Sequence, residues 1–533
     1  MCCSNEEGYP LLRLMNGGGN MKSDVVVQTH GFRVTPRNVA TKNALHKVLN
    51  KLIEWDRVDN GPEGFKWEIK KLFATINKRD KSYFVCKGLY KTFIDEVTKF
   101  GNVLTDLNIT ERSLFKTSEV IYHTNDMPTP YDYQEPIIEH LLDVTEGVWG
   151  RTKGTNLQAG KGKTLCAIQA IVKAGGKACI HMSAGYIKRW LPDLEKFLGL
   201  KEGVGIRVIR GFADLESIFQ EALDGDAKYQ VYVVSHTTLQ GYLKEYSDEE
   251  DFNYSVEPQD FYSALDVRTA LVDEIHENYH FMFKWISCAH VSKFIMMSAT
   301  METMKSHIRR MYTYLNPKEC WLGMKYDAYV TAKAYHFRYN PKLRIRFKQR
   351  GRKFYSHDVF EESIIKEKKF SNDYYEMIRA KSFHEFRDVG VYREGMKLLI
   401  LCSKVDMCYY LEKYLKSTEP GYKYAVHVHG CDLHESIKAD VIISTVASMG
   451  TGQDIPDLKV VILTRAIDSL EQNEQIKGRL RKPKGKNIDM KPVIVYFVCQ
   501  NIPAHIKYHE NKLKAWDGKV IQHITEYHRL PLG

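Results

Sequence analysis

Paired cysteines, long apolar runs and repeats are all missing from these 533 residues. The eleven cysteines form no CxxC pair, so zinc ligation has no spacing to build on. Scattered thiols fit a reducing, cytoplasmic compartment, the host's own if the chain is viral. No apolar run approaches the ~20 residues a membrane span needs, and the first 25 residues hold no secretory apolar core, so neither membrane insertion nor export is expected. No segment recurs at a fixed period, which sets solenoids and propellers aside. Present instead are an ordinary apolar fraction of 44% and a net charge of +11, a moderate excess that suits a polyanionic partner. The length implies about three domains.

Residues 1–24, with GGGN at 17–20, read as a flexible leader. In 25–124, VVVQTHGFRV reads as a strand, and residues 41–55 set Leu45, Val48, Leu49 and Ile53 on one helical face. FKWEIKKLFATI and KSYFVCKG read as strands and LYKTFIDEVTKFG as a helix, together a small α/β accessory unit. The proline-rich NDMPTPYDYQEP opens a new section, 125–310, where KACIHMS, KYQVYVVSH, TALVDEIHE and KFIMMSAT alternate with helical segments. Such alternation specifies a parallel α/β sheet. Residues 311–385 are less regular and rich in charge and tyrosine. From 386 to 505 the alternation resumes with KLLILCSK, YKYAVHVHG, DVIISTV, KVVILTRA and KPVIVYFVC, a second parallel sheet; 506–533 read as a helical tail.

Four stretches carry chemistry. In NLQAGKGKT (156–164), Gly160, Lys161 and Gly162 can turn backbone N–H groups towards phosphate oxygens. Lys163 would reach the β- and γ-phosphates, and the Thr164 hydroxyl would bind Mg²⁺. The following helix offers its positive dipole end to the anion. Leu157 stands where the strict pattern has its first glycine. In ALVDEIHE, an apolar strand runs into two carboxylates: Asp273 can hold the magnesium hydration shell, and Glu274 can orient and deprotonate the attacking water. Either stretch alone could be an ordinary strand end; in one predicted sheet they support each other. SAT (298–300) ends the next strand, and EQNEQIKGRLRK (471–482) brings arginines able to stabilise a transferring phosphoryl group.

In this order, GKGKT, DEIH, SAT, STVASMGTGQDIP and QIKGR resemble motifs I, II, III, V and VI of superfamily 2 helicases and translocases, over about residues 125–505. The resemblance implies two tandem RecA-like lobes, ATP and Mg²⁺ as ligands, and a nucleic-acid strand as track. YDYQ resembles the adenine-recognising element, implicating Tyr133 and Gln134. Gly452 and Asp454 join the nucleotide contacts, and Gln475, Arg479 and Arg481 the catalytic set. The family has its second arginine three positions after the first; here that place is Lys482, and a one-residue deletion would make Arg481 the finger instead. HMSAGYIKRWLPDLEKF resembles motif Ia, with Trp190 placed as in the Swi2/Snf2 and UvsW-like branches. Ser183, Thr237 and Thr445 are implied to touch DNA. In YNPKLRIRFKQRGRKFY, alternating Lys342, Arg344, Arg346 and Lys348 would share one face of a strand, and a hairpin touching DNA through Arg344 and Arg346 is expected.

The layout of the N-terminal unit, lobes and tail resembles UvsW-type phage helicases. An ATP-dependent DNA helicase working as a monomer on branched DNA or R-loops is therefore the leading expectation: unwinding, annealing and branch migration in recombination or repair. A Snf2-like duplex translocase, a restriction-type motor subunit, an RNA helicase and a non-enzymatic nucleic-acid-binding scaffold are the alternatives.

Overall fold

The computed structural model describes residues 21–59, 65–100, 107–124, 126–145, 147–158, 160–226, 228–248, 252–299, 306–349, 354–429, 431–449, 455–483 and 485–533. Two compact units divide the chain: Met1–Leu157 with Lys161–Met324, and Gln158–Gly160 with Lys325–Gly533.

The first unit begins with β1 (Ser23–Val27) and β2 (Gly31–Thr35). VVVQTHGFRV, expected as one strand, is therefore a hairpin. It turns between Gln28 and Gly31, whose backbone N–H and carbonyl bond at 2.8 Å. The helix Val39–Lys51 is capped by Asn38, which accepts the Thr41 N–H at 2.8 Å. Ile53, expected on that helix, instead opens β3 (Ile53–Asp59), because β-branched and aromatic residues alternate from there. FKWEIKKLFATI also divides, into β4 (Phe65–Leu72), paired with β3, and β5 (Thr75–Asn77), in another sheet. Next come β6 (Ser82–Cys86), the helix Tyr90–Phe100 and β7 (Leu107–Glu111). The mixed sheet has the order β5-β6-β2-β1-β7, with β1 and β7 parallel.

The same unit holds a seven-stranded sheet: β8 (Thr152–Asn156), β9 (Lys177–Met182), β10 (Ile206–Ile209), β11 (Val231–Ser235), β12 (Val267–Val272), β13 (Lys293–Ser298) and β14 (Trp321–Gly323). Its order is β10-β11-β9-β12-β13-β8-β14, every pair parallel. β9, β11, β12 and β13 are nearly continuous buried apolar runs, as helix-covered parallel strands must be. One hydrophobic core joins the two sheets of this unit, running from Val25 and Phe84 to Trp285 and Leu315. The approach is close: a Cβ on Gly31 would stand 1.9 Å from the Ser287 carbonyl oxygen.

The second unit is built on β15 (Thr331–Phe337), β16 (Lys397–Cys402), β17 (Tyr424–His427), β18 (Val441–Thr445), β19 (Leu458–Leu463), β20 (Val493–Cys499) and β21 (Gln522–Tyr527). These too are all parallel, in the order β17-β18-β16-β19-β20-β15-β21. Counted from each sheet's own first strand, both lobes have the order 3-4-2-5-6-1-7. The fold is α/β, two parallel-sheet lobes as the alternation implied, RecA-like as the resemblance implied, with an N-terminal mixed sheet.

Two expectations need correction here. The tail is not helical throughout: after the helix Pro503–Trp516 the chain adds β21 to the sheet edge beside β15. Its half-exposed, polar sequence QHITEY concealed an edge strand. Residues 342–348 form no strand either. Leu343, Ile345 and Phe347 do pack on the core, and Lys342, Arg344, Arg346 and Lys348 are exposed, so the two faces are real. The backbone has no ladder, however: the Arg346 N–H goes to the Ser363 hydroxyl at 3.0 Å, and a single bridge links Lys348 to Tyr355.

Candidate functional site

β8 delivers the chain to the expected phosphate loop, and it does so with polar residues, TKGTN. The threonines are satisfied internally: Thr152 bonds His30 at 2.9 Å and Thr155 donates to the Leu322 carbonyl at 2.8 Å. Gly154 lets the Trp321 ring lie against the strand; a Cβ there would meet it at 2.9 Å. Past the strand, Gly160 and Gly162 take left-handed φ values of 82° and 79°. Only glycine adopts these without strain, and Gly162 starts the helix Lys163–Ala174. Half-buried Thr164 follows in its first turn.

β12 ends beside it. Lys163 Nζ lies 3.1 Å from Asp273 Oδ1 and also pairs with Glu274 Oε1. Burial alone would weaken the ammonium's charge, but the carboxylates of Asp273 and Glu274 outweigh it and hold Lys163 well above the usual lysine value. For Glu274, burial favours the neutral acid; Lys163, His276 and the Ala299 N–H prevail and hold its carboxyl below the usual range. Glu274 also has a left-handed φ of 48°, the kind of backbone strain that clusters at working sites. Asp273 is held from two more sides: its Oδ1 accepts the Glu274 N–H at 3.0 Å, and its Oδ2 accepts the Trp190 indole N–H at 2.9 Å.

The neighbouring strand end is coupled to this one. His276 Nδ1 is 2.8 Å from the Ser298 hydroxyl and 3.3 Å from Glu274 Oε2. Thr300, the last residue of SAT, lies outside the described residues. A second network leaves the same segment: Glu277 accepts from the Ser183 hydroxyl at 3.2 Å and from Tyr186, while Asn278 reaches His236 Nδ1 at 3.0 Å. Thr237 is exposed, with its hydroxyl 2.8 Å from that of Ser235.

Gln134 is buried against the phosphate loop: its Nε2 donates to the Lys161 carbonyl at 3.0 Å and its Oε1 accepts the Tyr131 N–H at 2.9 Å. Tyr133 stacks on Tyr131 with ring centroids 5.6 Å apart, and Lys161 Nζ lies 5.8 Å from the Tyr133 ring. The amide thus props the loop.

In the second lobe, the helix Leu470–Lys477 starts at Ser469, whose hydroxyl accepts the Gln472 N–H. Gln475 lies half-exposed on it. Arg479 is buried, with Nη2 3.4 Å from the Met449 carbonyl. Arg481 folds back onto the Gly478 carbonyl at 2.8 Å, while exposed Lys482 is held by Asp327 at 2.8 Å. Thr445 is buried and caps its own turn, bonding Ser448 at 2.7 Å. Arg344 and Arg346 are exposed, and Gly452 and Asp454 fall outside the described residues.

The structure brings together Lys163, Asp273 and Glu274, which the sequence reading groups, and places Thr164 next to Lys163 in the helix. That reading marked Trp190 and Ser298 without their contacts, and passed over His276, Glu277, Asn278 and His236. The signal for these was faint: polar residues within or just beyond a motif, with partners distant in the chain.

Two parallel-sheet lobes thus carry the GKGKT loop, the DEIH segment and Ser298 at neighbouring element ends in the first, and the QIKGR helix in the second. No family model and no curated protein matches the chain. Among solved structures, it is similar to Dbp5 of S. cerevisiae bound to RNA and ADP BeF3, at 13% identity over 75% of this chain and 90% of that one, with a TM-score of 0.44. It is similar to a fragment of a putative HsdR subunit of a type I restriction enzyme from Vibrio vulnificus YJ016, at 15% identity over 76% and 69%, with a TM-score of 0.47. It is also similar to T4 UvsW, at 12% identity over 95% and 99%, with a TM-score of 0.30. These likenesses are of fold.

Proposed function

We propose that the protein is an ATP-driven motor on nucleic acid, acting on branched DNA or R-loops as a helicase and branch-migration enzyme. The observation that carries the reading is the trio of half-buried Lys163 and Glu274 with buried Asp273, where a helix start meets a strand end. A lysine locked to two carboxylates behind a glycine loop is poised to exchange one of them for the charge of a triphosphate. The donors also fit magnesium: the Thr164 hydroxyl and the Asp273 carboxylate are hard oxygens. When bound, Mg²⁺ would neutralise charge building up on the phosphates. Glu274, kept ionised, accepts the proton of the attacking water. Trp190 holds Asp273 in register, and His276 ties the base to Ser298. Gln134, Tyr133 and the loop at Gly160, Lys161 and Gly162 seat the nucleotide, with Gly452 and Asp454 joining them. Arg479 and Arg481, supported by Gln475, stabilise the transferring phosphoryl group. Ser183, Thr237, Thr445, Arg344 and Arg346 follow the strand along its phosphates.

ATP hydrolysis measured without nucleic acid and with single-stranded DNA, duplex, a four-way junction or single-stranded RNA tests this. Strongest stimulation by the junction supports the reading. Equal stimulation by plain duplex would replace it with a duplex translocase, a branch in which a tryptophan at the Trp190 position also occurs. Stimulation by RNA alone, or no hydrolysis under any condition, would end it.

A further inference from the structure

A second basic cavity lies at the other end of β8. It has a volume of about 360 Å³ and is lined by Gln28, Lys87, Glu111, Arg112 and Arg151 among others. That is room for on the order of ten waters. Arg151 immediately precedes β8 and the phosphate loop follows it, so a strand of five residues, roughly 16 Å, separates the cavity from the nucleotide site. The mixed sheet and the first lobe build it jointly. Gln28 comes from the β1–β2 turn, Lys87 from the end of β6, Glu111 and Arg112 from the end of β7, and Arg151 from the lobe.

The charges do not cancel in the way structural ion pairs do. Arg112 is committed to Asp260 and, at 2.9 Å, to the Gln259 carbonyl. Arg151 gives one N–H to the Ser292 carbonyl at 3.2 Å. Among the described residues, neither Lys87 nor Arg151 has a carboxylate within ion-pair distance, and Glu111, the one acid lining the cavity, pairs with neither. Buried His30 behind them is kept neutral, chiefly by burial, with Lys87, His290 and Arg151 also opposing its charge. Gln28 is only 3% exposed, and its side-chain oxygen has no hydrogen-bond partner. Such an atom is costly to leave dry and unpaired. Rotating the amide presents its N–H₂ group instead.

We infer that this cavity is a second phosphate site, in which Lys87 and Arg151 neutralise an oxyanion and the Gln28 amide hydrogen-bonds it. Two sources supply that chemistry, a nucleic-acid backbone and free phosphate. The backbone is the source if the motor reading above holds, on which that half of the inference rests.

The test uses the full chain with Lys87→Gln and Arg151→Gln together, and Lys87→Arg as the variant that keeps the charge. In the first arm, duplex affinity is followed against salt. The double variant is expected to lose about tenfold in affinity, and its slope of log K against log salt to shrink by about 1, the share of one phosphate. Lys87→Arg should stay near the parent, and ATP hydrolysis without nucleic acid should be unchanged. In the second arm, inorganic phosphate is titrated against the same substitutions in a Lys163→Ala background, which removes the nucleotide site. Loss of phosphate binding with unchanged duplex affinity would support the site and assign it to the free ion. Equal binding of both ligands by parent and double variant overturns the inference. A parent that nucleic acid fails to stimulate would end the motor reading, yet leave the phosphate arm to judge the cavity.

Discussion

At the scale of single residues, the proposed chemistry turns on Glu274. It is a non-glycine residue held at a φ of 48°. Glu274→Gln keeps the shape and removes the proposed base. It is expected to bind a fluorescent ATP analogue normally and to hydrolyse ATP at least ~100-fold more slowly; rapid turnover would contradict the general-base role. The second finger is the other question at this scale. Lys482 is engaged with Asp327, and Arg481 donates to the Gly478 carbonyl. A lysine cannot reproduce the guanidinium fork. Arg481→Ala should therefore lower turnover by about 10³-fold and Lys482→Ala far less; the opposite ranking would reassign the finger. Lys163 could be read from sequence because a glycine-bearing loop leads into its helix, and Asp273 and Glu274 because an apolar strand runs into them. The Trp190 bond to Asp273 could not, since 83 residues of chain lie between the partners and nothing local records it.

At the scale of elements, the joint between the mixed sheet and the first lobe is tight. The Gly31 Cβ position is blocked by backbone atoms, the Ser287 oxygen at 1.9 Å and the Val85 oxygen at 2.8 Å, which no rotamer change relieves. Gly31→Ala should cost about 3 kcal/mol or more, as severe overpacking does. A denaturant midpoint equal to that of the parent would show that the joint is looser than described. Strands with continuous apolar runs, such as β11 and β20, were legible in the sequence. β8, β14 and β21 were not. β8 is polar because its threonines bond neighbours, β14 has three residues, and β21 sits at an edge where alternation is weak. The alternation at 342–348 was legible as two faces but not as the absence of a ladder, which depends on what lies alongside.

At the scale of the whole molecule, buried histidines set the response to acid. Burial holds His30 and His181 down to about 3, and His236 and His280 to about 4. Their folded values lie below the unfolded value near 6.5, so the unfolded chain takes up protons that the folded one refuses. Stability is full above about pH 6.5 and is lost as pH falls towards 4. At pH 5 each such histidine costs up to about 2 kcal/mol. The thermal midpoint is expected to drop steadily from pH 7 to pH 5; a flat profile would mean these rings are hydrated. Both lobes were legible as parallel sheets, but their common strand order was not, because topology can repeat where sequence does not.

The shared core also bears on biosynthesis. The hairpin turn at Thr29 is finished by His290, a partner 261 residues further along the chain. At roughly 5–20 residues per second, a ribosome needs about 13–50 seconds to supply it. Until the lobe is made, Phe84 lacks its ring partner Tyr246 and Phe73 lacks Phe283, so the nascent chain carries an uncovered apolar face for much of its synthesis. The amino-terminal sheet, first to be made, is among the last parts of its unit to be completed.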